Sequence, residues 1–141
     1  MARMSPELQR SLQKLRRDLI HTTPALIKNA MIAEVEGCAA DFTEFAKSNA
    51  PVDQDASNGA PPGTLRDSHR YAQSEGGLRA TVIAGGQGFA EYSVHVEQGT
   101  EHAPPHSWFW PSYRLYKPTI KRRLSRALTR VIKYLNANQR A

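Results

Sequence analysis

The sequence has a single cysteine, Cys38, among its 141 residues, which excludes an internal disulfide and a cysteine-rich zinc fold. Cys38 falls in an apolar helical pattern, where it reads as a small buried hydrophobe in a reducing compartment. No run approaches the roughly 20 apolar residues of a membrane span, and no apolar stretch follows the arginines of "MARMSPELQR". The expectation is a soluble, unexported protein with no membrane partner. Repeats and low-complexity tracts are missing too. Acidic residues stop at Glu101, and the segment beyond it carries nine cations, Arg114, Lys117, Lys121, Arg122, Arg123, Arg126, Arg130, Lys133 and Arg140. A block of one sign points to a polyanion or to an oppositely charged neighbouring subunit, and says little about the fold.

Signatures of catalysis are equally scarce. There is no HExxH, no nucleophile elbow around a serine, and no lysine after the glycines Gly85, Gly86 and Gly88 to make a phosphate loop. The stretch "HVEQGTEHAPPHSWFWPSYR", residues 95 to 114, does gather His95, Glu97, Glu101, His102 and His106. Pro104 and Pro105 stand between His102 and His106, so the helical geometry that would bring two imidazoles onto one metal is excluded. The expectation is no catalytic residue, no metal and no cofactor. A small metal-dependent hydrolase built on these residues is the weakest of three functional readings.

The chain, at a length suited to one domain over residues 1–141, reads as α+β. Leu8, Leu12, Leu15 and Leu19 recur at steps of four and three among charged residues, an amphipathic helix with Ser5 and Pro6 as its start. "HTTP" predicts a kink or break near Pro24, leaving residues 1–23 as a short N-terminal helix. A second helix carries Ile27, Met31, Val35, Cys38, Phe42 and Phe45 up to "SNAP". Residues 51–64 read as an exposed loop. Three antiparallel strands are expected next, over residues 65–75, 78–84 and 90–98, with Gly76-Gly77 and "GGQG" as the turns. In the third, His95 and Glu97 would share one face. Trp108, Phe109 and Trp110 would fill the space between sheet and helix, one of them free to anchor a subunit contact. Pro118 would open a last basic amphipathic helix packed on the sheet, fraying over 136–141.

Four pieces stand in this order: "AKSNAPVD" at 46–53, "GTLRDS" at 63–68, "YSVHVEQGT" at 92–100 and "WFWPS" at 108–112. Together they resemble the head–tail joining or tail-completion (tail-terminator-like) proteins of long-tailed bacteriophages, over roughly residues 24–135. The motif positions carried over are Pro51, Val52, Asp53, Leu65, Arg66, Ser68, Tyr92, Val96, Glu97, Gly99, Thr100, Trp108 and Pro111. The chain departs from the pattern in the insertion "QDASNGAPPG", in Ser93 for alanine, in Trp108 for phenylalanine and in Ser107 for proline. The resemblance implies a non-enzymatic virion protein of the neck or tail top, assembled in the host cytoplasm. It would close into a homo-oligomeric ring, a hexamer, against the tail tube protein and head-side connectors, with genome DNA passing non-specifically through its lumen. Lys121, Arg122, Arg123, Arg126, Arg130 and Lys133 are the candidate contacts to DNA or an acidic partner. Asp55, Asn58, His102, His106 and Trp110 are candidates for the subunit or tail interface. The alternative is a free-standing, non-specific nucleic-acid-binding protein acting through the basic helix.

Overall fold

A computed structural model describes residues 5–52, 61–86 and 92–139. The chain is α+β, with a long N-terminal helical segment, a two-stranded hairpin, a short helix and a long C-terminal helix. Helix α1, Pro6–Arg17, starts as its sequence directs: Ser5 Oγ accepts from the Leu8 N–H at 3.3 Å and Pro6 fills the first turn.

At "HTTP", where a kink or a break is expected, the helix does not break: a π-helical turn, Asp18–Thr22, carries α1 on into α2, Thr23–Asn49. Pro24 has no N–H to donate and its ring crowds the preceding turn. The turn widened by one residue, in which the Thr23 N–H reaches the Asp18 carbonyl, accommodates both defects without ending the helix.

The polar half of the expected first strand is a helical turn, α3, Thr64–Asp67, and only β1, Arg70–Gln73, pairs with β2, Ala80–Ile83. The register is antiparallel, with Arg70 opposite Ile83 and Gln73 opposite Ala80. The connection is longer than a two-residue turn, since Ser74 N–H bonds the Arg79 carbonyl at 2.9 Å. Gly77 has φ +71°, and a Cβ there would lie 2.7 Å from Ile32 Cγ2. Glycine is needed at this point because the hairpin presses against α2. Gln73 Nε2 fastens the same contact by donating to the carbonyls of Ile32 (3.1 Å) and Gly77 (2.7 Å).

There is no third strand among the described residues; Ser93–Gln98 is helix α4. The alternation read there competes with a four-residue spacing, and the latter prevails. Tyr92 and Val96 pack on the cluster of Ala50, Leu65 and Trp108, Ser93 and Glu97 are buried, and Val94 is left 57% exposed. Residues 90 and 91, assigned above to that strand, lie outside the described residues, as does most of the loop read at 51–64.

The last helix, α5, Phe109–Gln139, starts nine residues before Pro118, which sits inside it. It also keeps its helical form through Gln139, well into the segment expected to fray. Its main packing partner is α2 and not the sheet, and the two run antiparallel. The cause is in the side chains. Cys38, Ala39 and Ala46 of α2 are small and buried, so the helices approach closely, and Phe42 sits edge-on to Phe109 and Tyr113 while Phe45 stacks on Tyr116. The hairpin lies on α2 as well.

Candidate functional site

The motif residues converge on the corner that launches α5. A helix N-terminus leaves backbone N–H groups without intrahelical partners. Here the distant Glu97 carboxylate takes three: Oε2 accepts from Trp108 N (2.9 Å) and Phe109 N (3.1 Å), and Oε1 from Trp110 N (3.1 Å). A buried carboxylate on this helix end also meets the positive end of the helix dipole. Glu97 is therefore turned inward on α4. His95, two positions earlier, is exposed, so the shared face expected for the pair is lost.

The turn between them is tied at each step. The His106 N–H donates to the Val96 carbonyl at 2.7 Å and Ser107 Oγ to the Glu97 carbonyl at 2.7 Å. Thr100 Oγ1 accepts from the N–H groups of His102 (3.3 Å) and Ala103 (3.1 Å). Gly99, at φ +79°, ends α4, and a Cβ there would fall 2.8 Å from the Pro105 nitrogen. Positive φ and close approach both select glycine.

Trp108 closes the corner from within. It is 5% exposed, packs on Leu65 and Ala50, and donates Nε1–H to His69 Nε2 at 3.0 Å. His69 Nδ1 lies 2.8 Å from the Arg66 carbonyl and 3.1 Å from that of Leu65. Carbonyls only accept, so these partners assign the proton to Nδ1 and leave Nε2 as the acceptor for the indole. His69 is thus held neutral. Burial pushes its pKa below the ordinary value; the two carbonyl hydrogen bonds oppose this and the Lys47 charge reinforces it. Ser68 ties the α3 turn to the end of β2, its Oγ donating to the Leu65 carbonyl (2.6 Å) and accepting from Gly85 N (2.8 Å).

The remaining motif residues are more peripheral. Arg66 is exposed and bonds its neighbour Asp67 at 2.9 Å, Pro51 and Pro111 are half-buried, and Val52 is exposed. Asp53, Asp55 and Asn58 lie outside the described residues. His102 and His106 are exposed, as is Trp110 at 54%, while Trp108 is not. Among the described residues no three His, Cys, Asp or Glu side chains gather as metal ligands, and no helix is long and apolar enough to cross a membrane.

The cations of the basic helix divide into those that pair with α2 and those that do not. Arg123 reaches across to α2, with Nε 2.6 Å from Glu34 Oε1 and a second bond to Asp41, and Arg130 lies 3.4 Å from the other Glu34 oxygen. Gly37 lies between Glu34 and Asp41, and a Cβ there would come 2.8 Å from the Arg123 guanidinium. The Glu34 hydrogen bond raises the Arg123 pKa further above its ordinary range. Lys121, Arg122, Arg126 and Lys133 are exposed.

His69, Glu34 and Asp41 were not anticipated from the sequence. Glu34 and Asp41 do carry a legible signal, seven residues apart on one helix face and opposite a basic helix. His69 has only its position four residues after Leu65. No family model, curated protein or solved structure matches the chain.

Proposed function

We propose that the chain is a structural virion protein, a subunit of a ring at the head–tail junction of a long-tailed bacteriophage that completes the tail and joins it to the head. The observation that carries this reading is the set of four motif pieces in register. It is supported by their meeting at one corner, where Leu65, Trp108, Val96 and Glu97 pack together and position α5. The roles these residues have are architectural: they hold a rigid subunit whose exposed Trp110, His102 and His106 are free to meet neighbours.

The test is native mass spectrometry with negative-stain imaging of the purified chain, alone and with purified tail tubes. Rings, or caps on tube ends, are expected. A chain that neither oligomerises nor caps tubes sinks the reading.

The exposure of Lys121, Arg122, Arg126 and Lys133 favours one second reading, non-specific binding of nucleic acid by the free chain. Submicromolar DNA affinity of a monomer, falling steeply with salt, would select it.

A further inference from the structure

We infer that the outer edge of β2 is a strand-addition site for an extended, acid-flanked segment of a partner protein. The hydrogen bonds of the hairpin fix which backbone groups turn outward. Ser74 stands opposite Arg79 and donates to its carbonyl, and in an antiparallel ladder hydrogen-bonded pairs alternate with pairs that are not. Thr81 and Ile83 therefore direct their N–H and C=O groups at Ala72 and Arg70. Gly85, two residues further, turns its N–H the same way, to Ser68 Oγ. Ala80, Val82 and Ala84 turn theirs away from β1, and among the described residues no backbone hydrogen bond reaches them there.

That edge borders a groove. Two cavities of about 260 and 270 Å³ lie along it, one walled by Cys38 and Phe42 of α2 with Ile120 and Leu124 of α5, the other by Val94 and Gln98 of α4. Val82, Phe109 and Trp110 line both. An unpaired strand edge beside apolar pockets is the arrangement that takes up extended peptides: main-chain bonds give affinity, and alternate side chains enter the pockets. Residues two apart on a strand lie about 7 Å from each other. A segment with apolar residues at alternate positions thus fills one cavity with each.

Helices and acyl chains are poor occupants, because neither offers main-chain N–H and C=O groups to the edge. The groove also excludes β2 of a second copy. Its opposite wall is α5, and a strand backed by its own α2 and α5 cannot enter where a single arm can. Charge defines the flank of that arm. Lys117 falls on the α5 face that lines the groove, at steps of four and three between Tyr113 and Ile120. It is exposed, its ammonium lies 6.0 Å from the Tyr113 ring centroid, and no carboxylate among the described residues pairs with it. A glutamate or aspartate beside the apolar positions of the segment supplies that partner. The site does not rest on the function proposed above, since nothing in it depends on ring formation.

The test uses the full chain, isotope-labelled for amide spectra, and a blocked peptide of alternating valine and threonine with glutamate at both ends. Titration should shift the amide signals of Ala80, Val82 and Ala84. It should also slow hydrogen exchange of the Val82 N–H by about tenfold once the peptide is near ten times its Kd. Val82→Pro removes the outward N–H and no bond of the hairpin, and proline is tolerated at such edge positions. That variant should keep its circular dichroism spectrum and bind the peptide about tenfold more weakly. Lys117→Glu decides the matter if Val82→Pro does not fold: wild type should prefer the glutamate-ended peptide to a lysine-ended one, and the variant should reverse the preference.

Strand addition is overturned if millimolar peptide moves no amide of β2, if Val82→Pro folds and binds as tightly as wild type, or if Lys117→Glu leaves the preference unchanged. Exchange of the Val82 N–H in the free chain as slow as that of the bonded Thr81 N–H overturns it too, because the chain would then cover its own edge. Octanoate shifting these amides where the peptide does not would assign the groove to a small molecule instead. Self-association that Val82→Pro abolishes, without peptide binding, would assign the edge to a second copy.

Discussion

His69 and Trp108 meet through one directed hydrogen bond, and its direction makes the corner sensitive to acid. Protonating His69 would put a second hydrogen on Nε2, facing the indole N–H. Burial already holds the folded-state pKa below the ordinary histidine value. Above about pH 6.5 the ring is neutral in both states, and it contributes no pH dependence. As pH falls through that value the unfolded chain takes up the proton first, so stability is lost toward the lower, folded-state pKa. Thermal melts between pH 8 and pH 5 should show this loss, and His69→Gln should remove that part of the curve. Trp108→Phe tests the other partner. It leaves Nε2 without its donor and empties part of the cluster with Leu65 and Ala50. The expected cost is about 2–4 kcal/mol, read by urea unfolding.

Between elements, the decisive interaction is Glu97 with the start of α5. Glu97→Ala would leave three N–H groups at the end of a 31-residue helix without their acceptor. A loss of about 2–3 kcal/mol is expected in chemical denaturation, larger than for an ordinary cap because the site is buried. This bond also explains why Pro118 misleads as a helix start. Local sequence shows where a helix could begin, while the cap that begins this one comes from α4. The third strand fails for a related reason: Tyr92, Val94 and Val96 alternate like a strand, but burying Tyr92 with Val96 and Ser93 with Glu97 calls for helical spacing. Features carried by short-range chemistry were legible, among them the Ser5-Pro6 start, the apolar stripe of α2 and the existence of the last helix. Those that depend on which element lies opposite were not. The Arg123 bridge is one, since its meaning changes from exposed cation to interhelical tie only when α2 and α5 are set side by side. Arg123→Met should lower stability by about 1–2 kcal/mol, discounted for partial exposure and weaker at high salt, as melts in low and high sodium chloride would show.

At the scale of the molecule, the charge asymmetry of the sequence is partly consumed inside the fold. Glu34 and Asp41 pair with Arg123 and Arg130 of α5, which would otherwise add to its outward field, and leave that field mainly to the exposed cations that do not reach α2. Arg122, Arg126 and Lys133, at steps of four and seven, fall on one stripe of the helix. If that stripe meets DNA, whether in a lumen or on a free chain, each of its cations that touches a phosphate releases a counterion on binding. Changing all three to glutamine should then flatten the plot of log affinity against log salt by about 2.7, at roughly 0.9 for each phosphate no longer neutralised. Arg123→Gln should leave the slope unchanged, because that guanidinium is held by α2 and faces no phosphate. Fluorescence anisotropy with a duplex of arbitrary sequence, repeated across a salt series, separates the two. Equal slopes for wild type and the triple variant would place any DNA binding elsewhere and leave the stripe to a protein neighbour. A flattened slope for Arg123→Gln would mean that the bridge to Glu34 opens when the polyanion binds.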